Sequence, residues 1–248
     1  QTLYIQTTKS SAHTGVLEPM RLAALVDRAH QRGMSVVGWY LPTHVDETAD
    51  LRNATAMIQL GVDGIGLDIE STALKDVSRR SAAAVSLVKA VAAAVNAEKL
   101  HIGVAAITYT PFTLASSKRL WPNFPWAAMA PYVTVWMPMS YWSQQSHRHN
   151  GFDDGGRFTV DSITRLQALL GLQTPIHVIG GSGMARAQAA KMVAAVLQAK
   201  GNVVGASLYD YRTTAAANHA TMTPLRTWAV TRQLCVSLGA HTHENARS

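Results

Sequence analysis

The stretch Val62-Asp63-Gly64-Ile65-Gly66-Leu67-Asp68-Ile69-Glu70 is an apolar run with glycines that ends in two acids spaced two residues apart. Successive side chains of a β-strand point to opposite faces, so the two glycines and both terminal acids are expected on one face and the three aliphatic residues on the other. A parallel strand that is buried on both faces normally reads as apolar throughout. Acids at its carboxyl end therefore indicate chemistry, with catalysis the favoured role.

Strand-like and helix-like segments alternate on both sides of this strand. The hydrophobic patterns predict helices over residues 18–32, 46–60, 77–97, 125–130, 160–170 and 185–200. Such alternation predicts an α/β fold with a parallel sheet, either doubly wound or closed into a (β/α)8 TIM-type barrel. We favour the barrel because aromatic and polar residues follow almost every strand, whereas an open sheet gathers its ligands at one switch point. Besides the acidic strand, the predicted strands are residues 3–7, 35–41, 100–108, 133–141, 176–179 and 203–209.

The series is one strand short of eight, and the missing strand is expected at the N-terminus, where residue 3 begins a strand at once. The apolar segment 233–238 is a candidate replacement. A length of 248 residues suits one barrel of about 250 residues. We predict one TIM-barrel-like domain over 1–230 and a partly disordered tail over 231–248.

Composition excludes several classes of protein. With 48% hydrophobic and 15% charged residues the chain is not of the disordered type, and no apolar run approaches the ~18 residues of a membrane span. The net charge of +7 is scattered without basic clusters among aromatics, so we expect no nucleic-acid partner, although an anionic cell-wall polymer would suit it. The single cysteine, Cys235, rules out an internal disulfide. Because the chain begins with Gln1, we expect a processed product or a fragment of an extracellular or cell-surface protein.

Glu70 is the candidate general acid. Burial in an apolar barrel mouth and the neighbouring Asp68 would both raise the pKa of its carboxyl group, while Asp68 is expected to stay charged and to orient the substrate. The alternative is a structural ion pair between these acids and a cation from a nearby loop, with Lys9 as one candidate.

The segment 63–70 resembles the D-x-x-D-x-D-x-E motif on the fourth strand of family 18 glycoside hydrolases, the chitinases and endo-N-acetylglucosaminidases. Three of the four acids are present, and Gly66 replaces the middle aspartate, the second acid of the motif. The resemblance implies that Glu70 is the proton donor and that Asp68 positions the N-acetyl group of the substrate, whose oxygen attacks in a retaining, substrate-assisted reaction.

Two further matches lie on later strands. Met139-Ser140-Tyr141-Trp142 is similar to the family's M-x-Y-D, which implies that Tyr141 hydrogen-bonds the acetamido group and that Trp142 replaces an aspartate. Gly205-Ala206-Ser207-Leu208-Tyr209 is similar to G-x-x-x-W, with Tyr209 in place of the tryptophan that floors the sugar site. The segment 37–40 also resembles the G-x-Y pattern of family 25 lysozymes.

These resemblances imply a secreted hydrolase of a polysaccharide that contains N-acetylhexosamine or a related sugar. The ten histidines show no metal-ligand spacing, so we expect no metal, and we expect no cofactor. The alternative is a non-catalytic carbohydrate-binding barrel. For Trp142 and Tyr209 we favour ligand contact, and for Trp136 we favour packing against a helix. The candidate substrate-binding residues are Lys9, Trp39, Tyr40, Met139, Trp142, Tyr209 and Asp210.

Other candidates have simpler explanations. Asp210 could act with Glu70 as the second carboxylate of an inverting enzyme, or it could form a salt bridge with Arg212. The glycine-rich segment 180–183 could bind a phosphate, but a tight turn is the favoured interpretation. Asp153 and Asp154 could bind calcium, but a solvated turn explains them more simply.

Overall fold

The computed structural model describes residues 1–11, 15–148, 150–181, 186–212, 214–226 and 228. They contain seven β-strands whose order in the sheet is the order in the chain. The strands are β1 (Thr2–Gln6), β2 (Ser35–Tyr40), β3 (Gly64–Asp68), β4 (Gly103–Tyr109), β5 (Val135–Ser140), β6 (Ile176–Gly180) and β7 (Val203–Leu208).

Helices follow the strands. The longest, α3, spans the 21 residues predicted from the sequence and begins where the Asp76 side chain accepts a hydrogen bond from the Arg79 backbone N–H. The helices are α1 (Pro19–His30), α2 (Glu47–Ala56), α3 (Val77–Ala97), α4 (Pro111–Ser116), α5 (Trp126–Met129), α6 (Gly155–Leu170), α7 (Arg186–Gln198) and α8 (Ala216–Thr221). Short 3-10 turns cover Met57–Leu60, Ala130–Tyr132 and Trp142–Gln144.

The pairs between successive strands from β1 to β5 and the pair of β6 with β7 are parallel, in agreement with the predicted TIM-type α/β fold. The described residues hold seven strands, one fewer than the eight of a complete barrel. The acidic strand is the third of this chain, whereas the resembling motif occupies the fourth strand of its family. This agrees with the expected absence of a first strand.

The chain divides into two compact units. One unit comprises Gln1–Met139 and Arg165–Pro175, and the other comprises Ser140–Thr164 and the described residues from Ile176 onward. The candidate acids belong to the first unit, and Tyr141, Tyr209 and Asp210 belong to the second. The predicted tail at 231–248, including the segment 233–238, lies outside the described residues.

Two predicted element boundaries need correction. Helix α6 begins at Gly155 and not at residue 160, because Asp154 Oδ1 accepts hydrogen bonds from the backbone N–H groups of Gly156 and Arg157 and so offsets the low helix propensity of two glycines. Helix α4 was not predicted, although Thr110 at its N-cap and Pro111 in its first turn are the usual start signals. No helix in the described part of the chain is both long and apolar enough to span a membrane.

The first acid of the motif, Asp63, lies before the amino end of β3 and has a structural role. Its Oδ2 accepts the Val36 backbone N–H at 2.6 Å and lies 2.9 Å from His30 Nε2, while its backbone N–H donates to the Val36 carbonyl. Asp63 therefore ties the start of β2 to the start of β3, at the opposite end of the strand from Asp68.

We expect Asp63→Ala to lower the free energy of unfolding by about 2–3 kcal/mol, because it leaves the Val36 N–H buried without an acceptor. Urea denaturation of the variant and the parent measures this loss. Asp63→Asn keeps one side-chain oxygen and should lose less. Equal stability of the alanine variant and the parent would contradict this role for Asp63.

Candidate active site

The register of neighbouring strands brings the motif acids beside residues of β4. Asp68 pairs with Ile107, and Tyr109 pairs with Met139 on β5. Glu70 and Tyr109 each lie two residues beyond the Asp68 and Ile107 pair, so the same register brings them together. Strand β3 ends at Asp68, where the Glu70 backbone N–H turns back to donate to the Asp68 carbonyl at 3.1 Å.

The Tyr109 phenol donates a hydrogen bond to the Glu70 carboxylate. Burial raises the pKa of Glu70 above its ordinary value, and the bond from Tyr109 opposes this rise. Burial also raises the pKa of Tyr109 to about 12, reinforced by the negative charge and the hydrogen bond of Glu70. A carboxyl group whose pKa is raised and that is hydrogen-bonded by one phenol is better suited than an ordinary glutamate to donate and accept a proton.

Asp68 is more deeply buried than Glu70. Its side chain is 8% exposed, and Oδ1 has no hydrogen-bond partner among the described residues. Burial, followed by the charge of Glu70, raises the pKa of Asp68 to about 8. The sequence predicts a charged Asp68; with this pKa it is instead protonated at neutral pH, because none of the ion pairs among the described residues involves it and so compensates the loss of water.

The alternative of a structural ion pair does not hold in the described part of the chain. None of the ion pairs there involves Asp68 or Glu70. Lys9 is exposed. Its predicted contact with substrate remains a prediction.

Trp39 lies beside Gly66, the position at which the resembling motif has its middle aspartate. It pairs with Gly66 across β2 and β3, and a Cβ atom at Gly66 would lie 2.8 Å from the Trp39 Cβ. A side chain at position 66 is therefore excluded by its neighbour. The indole lies on the strand face that carries Asp68 and is partly exposed, which is consistent with its predicted role as a sugar contact.

We expect Gly66→Ala to cost about 1–3 kcal/mol through overpacking, and Gly66→Asp to cost more because it also buries a charge beside Asp68. Restoring the family aspartate would therefore not restore a family site. Urea denaturation tests this, with Trp39→Gly as the matched background, since it removes the clashing Cβ. A Gly66→Ala penalty of the same size in both backgrounds would refute the contact as its cause.

Tyr40 is not a substrate contact in this structure. Its side chain is fully buried, and its hydroxyl donates to Asp50 Oδ1 at 2.5 Å. Asp50 lies in α2 and also accepts the backbone N–H groups of Thr43 and His44. Because neighbouring strand residues point to opposite faces, Tyr40 faces the helices while Trp39 faces the acids.

Among the candidates of the second unit, Tyr141 and Tyr209 form a pair of neighbouring rings, whereas Trp142 is a buried core residue. The rings of Tyr141 and Tyr209 lie 5.9 Å apart at an angle of 33°, and Tyr209 is 43% exposed. Trp142 is 2% exposed and packs against the backbone at Gly155 and Gly180, which corrects the expected ligand contact. Both glycines leave room for the indole, so its ring is part of the core.

Trp136 and Asp154 both have structural roles. Trp136 is 1% exposed and lies 5.2 Å from the ring of Trp126 in α5, which confirms packing against a helix. Asp154 caps α6 and pairs with Lys191, so its carboxylate is engaged. The described residues hold no group of three or more histidine, cysteine or acidic side chains arranged for a metal ion. Residues 182 and 183 of the glycine-rich segment lie outside the described residues.

Tyr109 is the site residue that sequence reasoning did not single out. The signal was available in the spacing, because it follows β4 as Glu70 follows β3 and parallel strands present their carboxyl ends at one edge. Met139, which was predicted, is its partner in register on β5.

No protein-family model matches this chain, and no curated protein matches its sequence. Solved structures do match. The chain is similar to a chitinase from Chromobacterium violaceum, with a TM-score of 0.65, 12% identity and coverage of 90% of both chains. It is also similar to the cell-surface-expressed multi-modular chitinase ChiW from Paenibacillus sp., with a TM-score of 0.60, 13% identity and coverage of 86% of this chain and 35% of that one.

A third similar structure is the spore cortex-lytic enzyme SleL of Bacillus cereus. The TM-score is 0.53 at 13% identity, and the match covers 73% of this chain and 44% of that one. At such identities the likeness establishes the fold. It is the fold of these three enzymes, in agreement with the fold that the resemblance in the sequence implies.

Proposed function

We propose that this protein is a glycoside hydrolase that cleaves a polysaccharide containing N-acetylhexosamine or a related sugar. Glu70 serves as general acid and Asp68 assists. The observation that carries the proposal is the Glu70 carboxyl group just beyond the carboxyl end of β3, with its raised pKa, its Tyr109 partner and no ion pair to it among the described residues.

The proposed reaction begins with proton transfer from Glu70 to the glycosidic oxygen as the bond from that oxygen to the anomeric carbon breaks. The substrate's acetamido oxygen attacks the anomeric carbon, and water then opens the resulting ring while Glu70 takes back a proton. Asp68 orients the acetamido group, and Tyr141 is its further proposed partner. A neutral Asp68 carboxyl can accept an amide N–H at one oxygen and donate from the other.

The remaining candidates would bind the sugar chain. Trp39 and Tyr209 offer flat aromatic faces for stacking on sugar rings, and Met139 lies beside Tyr109 in register. Lys9 and Asp210 would supply polar contacts. A polysaccharide substrate implies action outside the cell or at its surface, and the net charge of +7 favours an anionic cell-wall polymer as a neighbour.

A second candidate function is a non-catalytic carbohydrate-binding barrel. The specific observation in its favour is Gly66, which stands where the motif has an acid and pairs with the partly exposed aromatic residue Trp39. Such a protein would bind the polymer without cleaving it.

Turnover by the intact chain separates the two functions. Aryl glycosides of N-acetylglucosamine and soluble N-acetylhexosamine oligosaccharides are incubated with the protein, and released phenol and reducing ends are measured. Binding to insoluble polysaccharide is measured in parallel. Hydrolysis supports the enzyme, whereas binding without released product supports the second candidate and overturns the first.

A further inference from the structure

A buried arginine joins the two loops that carry the candidate acid and its phenol partner. Arg80, in the first turn of α3, is 2% exposed. Its Nη1 donates to the Leu74 carbonyl at 3.1 Å, and its Nη2 donates to the Leu120 carbonyl at 2.8 Å. Leu74 lies four residues after Glu70 in the loop that follows β3. Leu120 lies in the segment that follows α4, on the connection that leaves β4 at Tyr109.

The burial of the Arg80 charge is expected to lower the stability of the fold. In the part of the chain that the structure describes, Arg80 pairs with no carboxylate, and its buried Nε has no hydrogen-bond partner. A buried cation without a counter-charge destabilises a fold, and an apolar side chain of similar size usually packs there at lower cost. Its use here indicates a requirement other than stability.

The surroundings of Arg80 hold its guanidinium in one orientation. The Cζ atom lies 4.3 Å from the centre of the Trp121 ring. The Trp121 Nε1–H donates to Ser81 Oγ at 3.0 Å, and the buried His44 ring meets the indole edge-on at 5.4 Å. The planar guanidinium therefore lies on an aromatic face while its Nη1 and Nη2 each donate to a main-chain carbonyl. Lysine cannot reproduce this geometry.

We propose that Arg80 is a positioning residue, which fixes the loop of Glu70 against the loop of Tyr109 and thereby holds the acid in its partly buried contact with the phenol. This inference rests on the proposed function for its catalytic consequence. The positioning itself is a property of the folded chain and can be measured without turnover.

Activity is the first readout. We expect Arg80→Met to lower kcat by about 10- to 100-fold with KM changed by less than about threefold, because the acid is displaced while the sugar contacts remain. The kcat of Arg80→Lys should lie between those of Arg80→Met and the parent, since an ammonium can reach one carbonyl but not both. Arg79→Met is the matched control, because Arg79 is the preceding residue of the same helix and is exposed. Rates are expressed per folded molecule from a parallel unfolding curve.

The titration of Glu70 is the second readout, and it separates this proposal from the proposed function. Carbon-13 NMR of labelled glutamate follows the chemical shift of the Glu70 carboxyl group as pH is changed. The resonance is assigned by its loss in Glu70→Gln, and the titratable groups that face Glu70 are Asp68 and Tyr109. Loosened loops admit water, so the midpoint should fall toward the ordinary glutamate value in Arg80→Lys and stay unchanged in Arg79→Met. An unchanged midpoint and unchanged kcat per folded molecule in both Arg80 variants would overturn the positioning role. A shifted midpoint in a chain that never hydrolyses a glycoside would uphold it and overturn the proposed function instead.

Discussion

Replacing Glu70 with glutamine is expected to lower kcat for a natural oligosaccharide by about 10²- to 10⁴-fold while leaving KM within about threefold. The amide has the size of the acid and its oxygen can still accept the Tyr109 hydrogen bond, but it has no proton to give to the leaving sugar. The loss should depend on the leaving group. A dinitrophenyl glycoside departs without protonation, so its rate should fall far less than that of the oligosaccharide.

This dependence on the leaving group is what makes the experiment specific. Glu70→Gln may be compared with Tyr109→Phe, which keeps the acid and removes only its hydrogen-bond donor. The phenylalanine variant should retain turnover and move the alkaline limb of its pH profile upward, because the bond from Tyr109 lowers the pKa of Glu70. Equal losses for both classes of leaving group in Glu70→Gln would contradict its role as general acid.

Much of the fold was predictable because hydrophobic periodicity is local. The acidic strand, the 21-residue helix α3 and the α/β alternation all follow from patterns within single segments. The missed helix α4 is six residues long, so its apolar pattern covers too few turns to stand out. The early start of α6 depends on hydrogen bonds from the backbone N–H groups of Gly156 and Arg157 to the Asp154 side chain, which the apolar pattern does not reveal.

The site was predictable where a side chain's role depends on its own strand. Period-two alternation brought Asp68 and Glu70 together, but it did not separate Trp39 from Tyr40, because the sequence does not reveal which neighbour faces the helices. The buried contact of Tyr40 with Asp50 decides this. Trp142 was misjudged for a similar reason, since the space that accepts its ring is created by glycines distant in sequence.

The electrostatics were the least predictable part of the site. Asp68 was expected to raise the pKa of Glu70 and to stay charged itself, yet the charge state of Asp68 depends on how completely β3 and its neighbours exclude water. All five residues of β3 are buried, and no donor reaches Asp68 Oδ1 within the described residues. The role of Arg80 could not be predicted either, because the sequence shows only that it is adjacent to another arginine. Its hydrogen-bond acceptors are the main-chain carbonyls of residues 74 and 120, which no side-chain pattern reveals.

Asp68→Asn is expected to stabilise the fold at alkaline pH while it removes activity. The pKa of Asp68 is raised from 3.8 to about 8, so the folded chain holds a proton that the unfolded chain releases, and stability falls as pH rises between these values. An asparagine escapes this penalty, so its advantage should grow from about pH 4, level off above about pH 8 and reach roughly 3 kcal/mol or more. Urea denaturation at pH 5, 7 and 9 measures it, with Asp27→Asn, a substitution of the same kind at an exposed position on α1, as the control. A stability difference for Asp68→Asn that is flat across this range would show that the carboxyl is not held protonated by burial. A gain in stability together with a loss of turnover would be the expected behaviour of a group retained for chemistry at the expense of the fold.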